Sequence, residues 1–253
     1  MNVQKRFCIS AIASVLAASC FVTLAQAQPL GFWGKSVEGS GHVVQQNRVA
    51  KDFRTIQVAI SGKIELKQGD AEGLSIETDD NIQDMIETVV EGKVLKIRMR
   101  ERNTYPSTRT LRIVVNFRQL NEVSVDGSGS VTCADLVAGD FKARLSGSGN
   151  MQIQNLKSDS LKVAIGGSGN FKAQGQSPQI VASIGGSGDI DMAKLAAKDV
   201  RVSIGGSGSV STWASDNLSV SIGGSGSVEY YGDPRVSKSV GGSGSVTRRG
   251  SQP

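Results

Sequence analysis

Histidine and cysteine are almost absent from this chain. There is one histidine, His42, and there are three cysteines, of which Cys133 alone lies beyond the first 27 residues. Zinc needs a tetrahedral set of Cys, His or carboxylate ligands, and no histidine or cysteine pair supplies one. A Ser-His-Asp triad would have to use His42, which sits in a polar, glycine-flanked stretch and reads as a solvated loop residue. A single thiol makes no intrachain disulfide, so stability has to come from packing. Cys133 stands two residues beyond Val131 on an alternating run and reads as a small buried hydrophobe rather than a nucleophile.

Long apolar runs are missing after residue 27. A membrane-spanning helix needs about 18 or more consecutive apolar residues, so the mature chain is not expected to cross a membrane as a helix. A long C-terminal series of amphipathic strands is missing too, which excludes an outer-membrane barrel. Aromatics are scarce at 5%. Trp213, Tyr230 and Tyr231 could form a sugar-stacking patch, but Tyr230 has inward parity and Trp213 lies near a connection, which favours core or corner packing. Net charge is +5 and falls to +3 without Lys5 and Arg6. That excess is mild and scattered, and Lys96, Arg98 and Arg100 alternate with Leu95, Ile97 and Met99 as a solvated strand face. Nucleic acid is not an expected partner.

The first 27 residues hold what the remainder lacks. Lys5 and Arg6 precede a mostly apolar stretch over residues 7–24, followed by Ala25-Gln26-Ala27. This is an export signal with cleavage between Ala27 and Gln28, directing the chain to the periplasm or the cell surface. The alternative is a lipoprotein anchor at Cys20, disfavoured because Phe21-Val22-Thr23-Leu24 stays apolar.

What the chain has in abundance is a repeat. Gly-Ser-Gly recurs with its serine at Ser128, Ser148, Ser168, Ser187, Ser207, Ser225 and Ser243, at intervals of 20, 20, 19, 20, 18 and 18 residues. A fixed period of this size marks a stack of units that pack on their neighbours. The run before each serine alternates apolar and polar, as in Leu161-Lys162-Val163-Ala164-Ile165 and Val200-Arg201-Val202-Ser203-Ile204. The run after it alternates as well, as in Asn170-Phe171-Lys172-Ala173. Period two means strands with one buried face. Each unit therefore reads as strand, tight corner, strand and looser connection, with Ile165, Ile184, Ile204 and Ile222 in one internal ladder.

The fold class is all-β: a parallel β-helix or β-solenoid of about seven coils of 18–20 residues, about 4.8 Å apart. Right-handed coiling is expected from the rule for parallel crossovers. The corner glycines are expected to supply positive φ, and the seven serines to form a corner ladder that hydrogen-bonds backbone. A phosphate loop would need a lysine and Ser/Thr after its last glycine. A calcium nonapeptide would place its aspartate one residue later than Asp189, where Ile190 stands.

The division along the chain is 1–27 signal, 28–48 loosely structured, 49–125 strand-rich, 126–248 repeat solenoid and 249–253 tail. Within 49–125, Asp79-Asp80-Asn81 could cap a short helix carrying Ile82, Met85 and Ile86. A hairpin turns at Glu91-Gly92-Lys93, and residues 101–109 read as a loop. Gly39-Ser40-Gly41 is an eighth copy out of register. Lys238, on inward parity between Val236 and Val240, and Arg248-Arg249 mark the far end of the rod.

Several segments together resemble a known family. They are Phe53-Arg54-Thr55-Ile56-Gln57-Val58 with Ser61-Gly62, Leu95-Lys96-Ile97, residues 120–131 ending Asp126-Gly127-Ser128-Gly129-Ser130-Val131, and the later Ile-Gly-Gly-Ser-Gly units. The chain is similar, over about residues 40–248, to the bacterial head GIN domain proteins, the auto-transporter adhesins. That resemblance implies an exported, β-helix-like body. It transfers no catalytic, cofactor-binding or metal residue, and this chain has no barrel of its own.

Three functions remain open. The leading one is a non-catalytic cell-envelope module, adhesion-like or ligand-binding, with envelope or host glycans or a surface protein as partner and with no cofactor. The second is a structural protein that self-associates end to end through its strand edges. The third is a carbohydrate-active enzyme using Asp189 and Asp191, which project from one strand on the same side. A solvated strand face is the simpler account of those two acids.

Overall fold

The computed structural model describes residues 35–101 and 104–252. The export signal, Cys20, the Ala27–Gln28 junction, Phe32 and Trp33 lie outside the described residues. The elements in chain order are β1 (Lys35–Glu38), β2 (Val43–Arg48), β3 (Thr55–Ala59), β4 (Lys63–Gln68), β5 (Gly73–Asp79), α1 (Asp80–Gln83), β6 (Ile86–Glu91), β7 (Val94–Met99), β8 (Thr104–Ser107), β9 (Leu111–Phe117) and β10 (Glu122–Val125). The rod follows with β11 (Ser130–Leu145), β12 (Asn150–Ile165), β13 (Asn170–Gln176), β14 (Gln179–Ile184), β15 (Asp189–Ile204), β16 (Ser209–Ile222), β17 (Ser227–Tyr231), β18 (Arg235–Val240) and β19 (Ser245–Gly250).

Alternation along each strand gives every coil one apolar side, and the parallel stack buries it. Residues before the corner pair in register from coil to coil: Val125, Leu145, Ile165, Ile184, Ile204, Ile222 and Val240 form one column. Its neighbour runs Val123, Ala143, Val163, Ala182, Val202, Val220 and Lys238. Large and small columns stand side by side in a narrow interior, and their members from Val123 to Ile222 are buried. After the corner, Ile64, Val131, Met151, Phe171, Ile190, Val210, Val228 and Val246 line the opposite wall. Cys133 lies in the next inward position and is buried.

Seven corners bound about six turns, one fewer than a coil for every Gly-Ser-Gly. The connection opposite the corner is also tighter than expected. In β11, β12 and β15 the chain stays in strand geometry for 16 consecutive residues of each coil, with no break between one corner and the next. Differences in unit length are absorbed there by register shifts, such as Lys172/Gly175 and Met192/Ala196. Gly175 has φ +120°, and a Cβ on it would lie within 3.0 Å of the Leu156 carbonyl, so this bulge requires glycine.

The strand-rich N-terminal part joins the rod by direct pairing of β3 with β10 and β4 with β11. Its outer strands are antiparallel: β2 on β5, β5 on β9, and β6 on β7. The β6–β7 hairpin turns at Gly92, with φ +61°, and α1 follows Asp79. Three segments depart from the sequence reading. Within 28–48, β1 and β2 are formed rather than loose. Part of the loop expected over 101–109 is β8, which pairs with β1 as a separate two-stranded ribbon. The last strand, β19, runs to Gly250, into the expected tail. Short strands stabilised by distant partners carry too little local pattern to be read from a window of sequence.

Replacing Ile184 by alanine removes a fully enclosed member of the central ladder, 1% exposed. The expected cost is about 2–5 kcal/mol, read as a lower midpoint in urea denaturation. An unchanged midpoint would show that the ladder is not a continuous core.

Candidate binding surfaces

The repeat corner is held by backbone rather than by serine side chains. The Ser168 amide donates to the Gly147 carbonyl at 3.1 Å, Ser187 to Gly167 at 3.0 Å, Ser207 to Gly186 at 3.0 Å and Ser225 to Gly206 at 3.1 Å. Ser128, Ser148, Ser168, Ser187, Ser207, Ser225 and Ser243 are all exposed. At Ser168, Ser187, Ser207 and Ser225 the ladder runs through the amides, and the expected hydroxyl bonds to backbone are not formed.

The reason for glycine differs from the expected one as well. Among the described residues the positive-φ glycines are Gly41, Gly73, Gly92, Gly175 and Gly232, none of them in a repeat corner. The corner glycines are required by close approach. A Cβ on Gly167, Gly186, Gly206, Gly224 or Gly242 would fall within 3.0 Å of the carbonyl oxygen one coil below. The glycine after each serine is similarly crowded, Gly208 against Gly188 and Ile184. The position before the pair is open, and a Cβ on Gly185, Gly205 or Gly241 meets at most ordinary contacts. Asp126 and Ser146 are accommodated at that same position. The out-of-register Gly39-Ser40-Gly41 does something else: the Ser40 amide donates to Asn81 Oδ1 and the Gly41 amide to Asp79 Oδ1, tying the chain to α1.

The outward residues bond along the rod. Asn170 donates to Asn150 at 2.9 Å, Asn155 to Asp135 at 3.0 Å, Asn217 to Asp199 at 2.6 Å and Ser160 to Asp140 at 2.5 Å. Ion pairs do the same: Arg144 with Glu122, Arg249 with Glu229, and Arg112 with Glu65. Hydrogen bonds from Arg112, then Lys67, hold the Glu65 carboxyl below its ordinary pKa. Such exposed pairs contribute little stability singly.

Asp189 and Asp191 do leave the same side of β15, but they are engaged in opposite directions. Asp191 pairs with Lys172 of the preceding coil at 2.7 Å. Asp189 accepts from the Ser209 hydroxyl of the following coil at 2.5 Å. His42 is exposed, and its carbonyl accepts from the Asp80 amide. Burial pushes the Cys133 thiol up to about 12, consistent with an inert core residue.

The aromatic residues divide. Tyr230 packs partly buried against the core. Trp213 is half-buried and stands beside Tyr231 of the next coil. It lines an open groove of about 630 Å³ with Lys157, Asp159, Gln176, Pro178 and Lys198. A second groove, of about 650 Å³, lies at the first corner between Tyr105 of β8 and Gln57, Lys96 and Asp126. Sequence reading did not single out Lys157, Lys198 or Tyr105, because their proximity to these grooves depends on coil register. Among the described residues no helix is long and apolar enough to cross a membrane.

Stacked corners, an in-register interior and polar outer faces define a β-solenoid protein. The model of the family described as putative auto-transporter adhesin, head GIN domain, matches residues 52–234, and the chain belongs to that family. It is similar to the crystal structure of a putative adhesin from Bacteroides fragilis, with TM-score 0.81 and 25% identity over 84% of this chain and 100% of that one. A putative lipid binding protein from Parabacteroides distasonis aligns with TM-score 0.71 and 26% identity, over 85% of this chain and 100% of that one. A putative adhesin from Parabacteroides merdae, at 22% identity and TM-score 0.65 over 85% of this chain and all of its own, shares the fold. None of the curated proteins matches the chain.

Gly206→Ala forces a methyl group against the Gly186 carbonyl. It is expected to destabilise by about 1–3 kcal/mol, whereas Ser207→Ala at the adjacent exposed site stays within about 0.5 kcal/mol. Thermal unfolding of both variants checks this, and equal effects would contradict the backbone account of the corner.

Proposed function

We propose that the protein is a non-catalytic, exported cell-envelope module that binds a ligand on the outside of its solenoid, as an adhesin head does. The observation that carries this reading is the fixed outer surface: polar side chains held at one coil spacing by bonds along the rod. Membership of an adhesin-head family and likeness to solved adhesin-like structures support it. The basic start, apolar stretch and Ala25-Gln26-Ala27 support export, with periplasm and outer surface as the two destinations. The separate engagement of Asp189 and Asp191 speaks against their use as a catalytic pair. The name of the Parabacteroides distasonis neighbour adds lipid to the ligand classes for screening.

Screening the mature chain, residues 28–253, against envelope and host glycans and lipid vesicles, with product analysis on the same samples, tests the reading. Saturable binding without product is the expected outcome. Released product that disappears in Asp189→Asn or Asp191→Asn would replace it with an enzyme.

The C-terminal end favours a second reading, self-association. There, among the described residues, β18 pairs with β16 and β19 with β17, each on one side only, and Val236 and Val240 are 40% and 41% exposed. Lys238 opposes it, because it puts a charge in the core column above Val220. Sedimentation at rising concentration distinguishes the two effects. Assembly of the native chain that Val240→Asp abolishes supports self-association. A monomer that begins to associate only in Lys238→Val identifies the lysine as a guard against stacking and ends this reading.

A further inference from the structure

We infer that the groove beside Trp213 is a binding site for an acidic saccharide. The inference rests on the ligand-binding reading above and names the place and the chemical class.

The groove lies on the side of the rod away from the Gly-Ser-Gly corners. Its spine is one register column: Val137, Lys157, Gln176, Ala196 and Trp213, each from a successive coil. Lys157 and Trp213 are three coils apart, about 14 Å at the strand spacing. Ala196, small and partly exposed, is the register neighbour of Trp213, and both line the groove. Register shifts at Met192/Ala196 and Ala197/Asp199 fall at this place, so the wall is not the flat strand face found elsewhere. The volume, about 630 Å³, is in the range of small-ligand sites, roughly 300–1,000 Å³.

Charge selects the class of ligand. Lys157 and Lys198 are exposed on the groove and form no ion pair among the described residues, in contrast to Lys172, which is held by Asp191. Against these two cations stands one carboxylate, Asp159. An ammonium group is a point charge suited to a carboxylate that approaches from several directions. The half-buried indole offers a flat apolar surface with a polar edge, matching the alternating C–H and O–H faces of a sugar ring. Gln176 supplies both an amide donor and an acceptor for hydroxyl groups. A neutral glycan would leave the two lysines without a role, and a lipid tail would meet charge at the rim. The ligand that uses every group is a short chain of sugar rings bearing carboxylates, lying along the rod from Lys157 to Trp213.

The test is titration of the full mature protein with oligogalacturonate, with its methyl ester, and with polyglutamate, by calorimetry at low and moderate salt. Expected is saturable binding of oligogalacturonate, at least tenfold weaker binding of the ester, and weaker binding at higher salt. Lys157→Gln with Lys198→Gln should reduce affinity at least tenfold. Both positions are exposed, so the fold tolerates them. Trp213→Phe should weaken oligogalacturonate binding, and quenching of indole fluorescence in a Trp33→Phe background gives an independent readout at Trp213. The inference is overturned if oligogalacturonate does not bind, if the lysine pair variant binds as tightly as the native chain, or if polyglutamate binds equally well. Binding of another ligand in the wider screen, unaffected by these substitutions, would overturn this site while leaving the adhesin-like reading standing.

Discussion

The approach of one corner backbone to the next is the constraint on which the rest of this molecule depends. Serine amides donate to glycine carbonyls one coil below, and the glycines on either side leave no room for a Cβ. Once the corners are stacked at this distance, the strands on both sides are forced into parallel register. The apolar alternation then has one direction in which to face. The interior columns follow from the corner, and the corner follows from the absence of a side chain.

The same register organises the outer surface. Side chains separated by one coil in sequence become neighbours, so that Asn170 meets Asn150 and Asp191 meets Lys172. A charged residue with a partner one coil away serves the rod. Lys157 and Lys198 form no such ion pair among the described residues, and both stand on the Trp213 groove. The corner side has little freedom to vary because its glycines are crowded. Differences in unit length therefore collect on the far side, where the strands shift register and the groove is formed.

The two ends obey different rules. At the N-terminal end the chain abandons parallel coiling for the antiparallel strands β2, β5 and β6. At the C-terminal end the coil pattern continues into β18 and β19, but a lysine replaces an aliphatic residue in the core column. A stack that ended in Val236, Val240 and another valine would present an apolar template for further strands.

Much of this was legible in the chain itself. Seven Gly-Ser-Gly corners at 18–20-residue spacing, flanked by alternating runs, determined a β-solenoid, its isoleucine ladder and its buried cysteine, because repetition and period two are local properties. The hairpin at Gly92 and the start of the helix after Asp79 were readable from local turn and cap residues, but the helix ends at Gln83, short of the expected Met85 and Ile86, and Ile86 opens β6. The pairing of β1 with β8, the exposure of the corner serines and the true reason for the glycines were decided by tertiary structure. So was the meeting of Trp213 with Lys157 across three coils. Each of these depends on which backbone lies beside which, and that distance is set by the stack as a whole rather than by any segment of sequence.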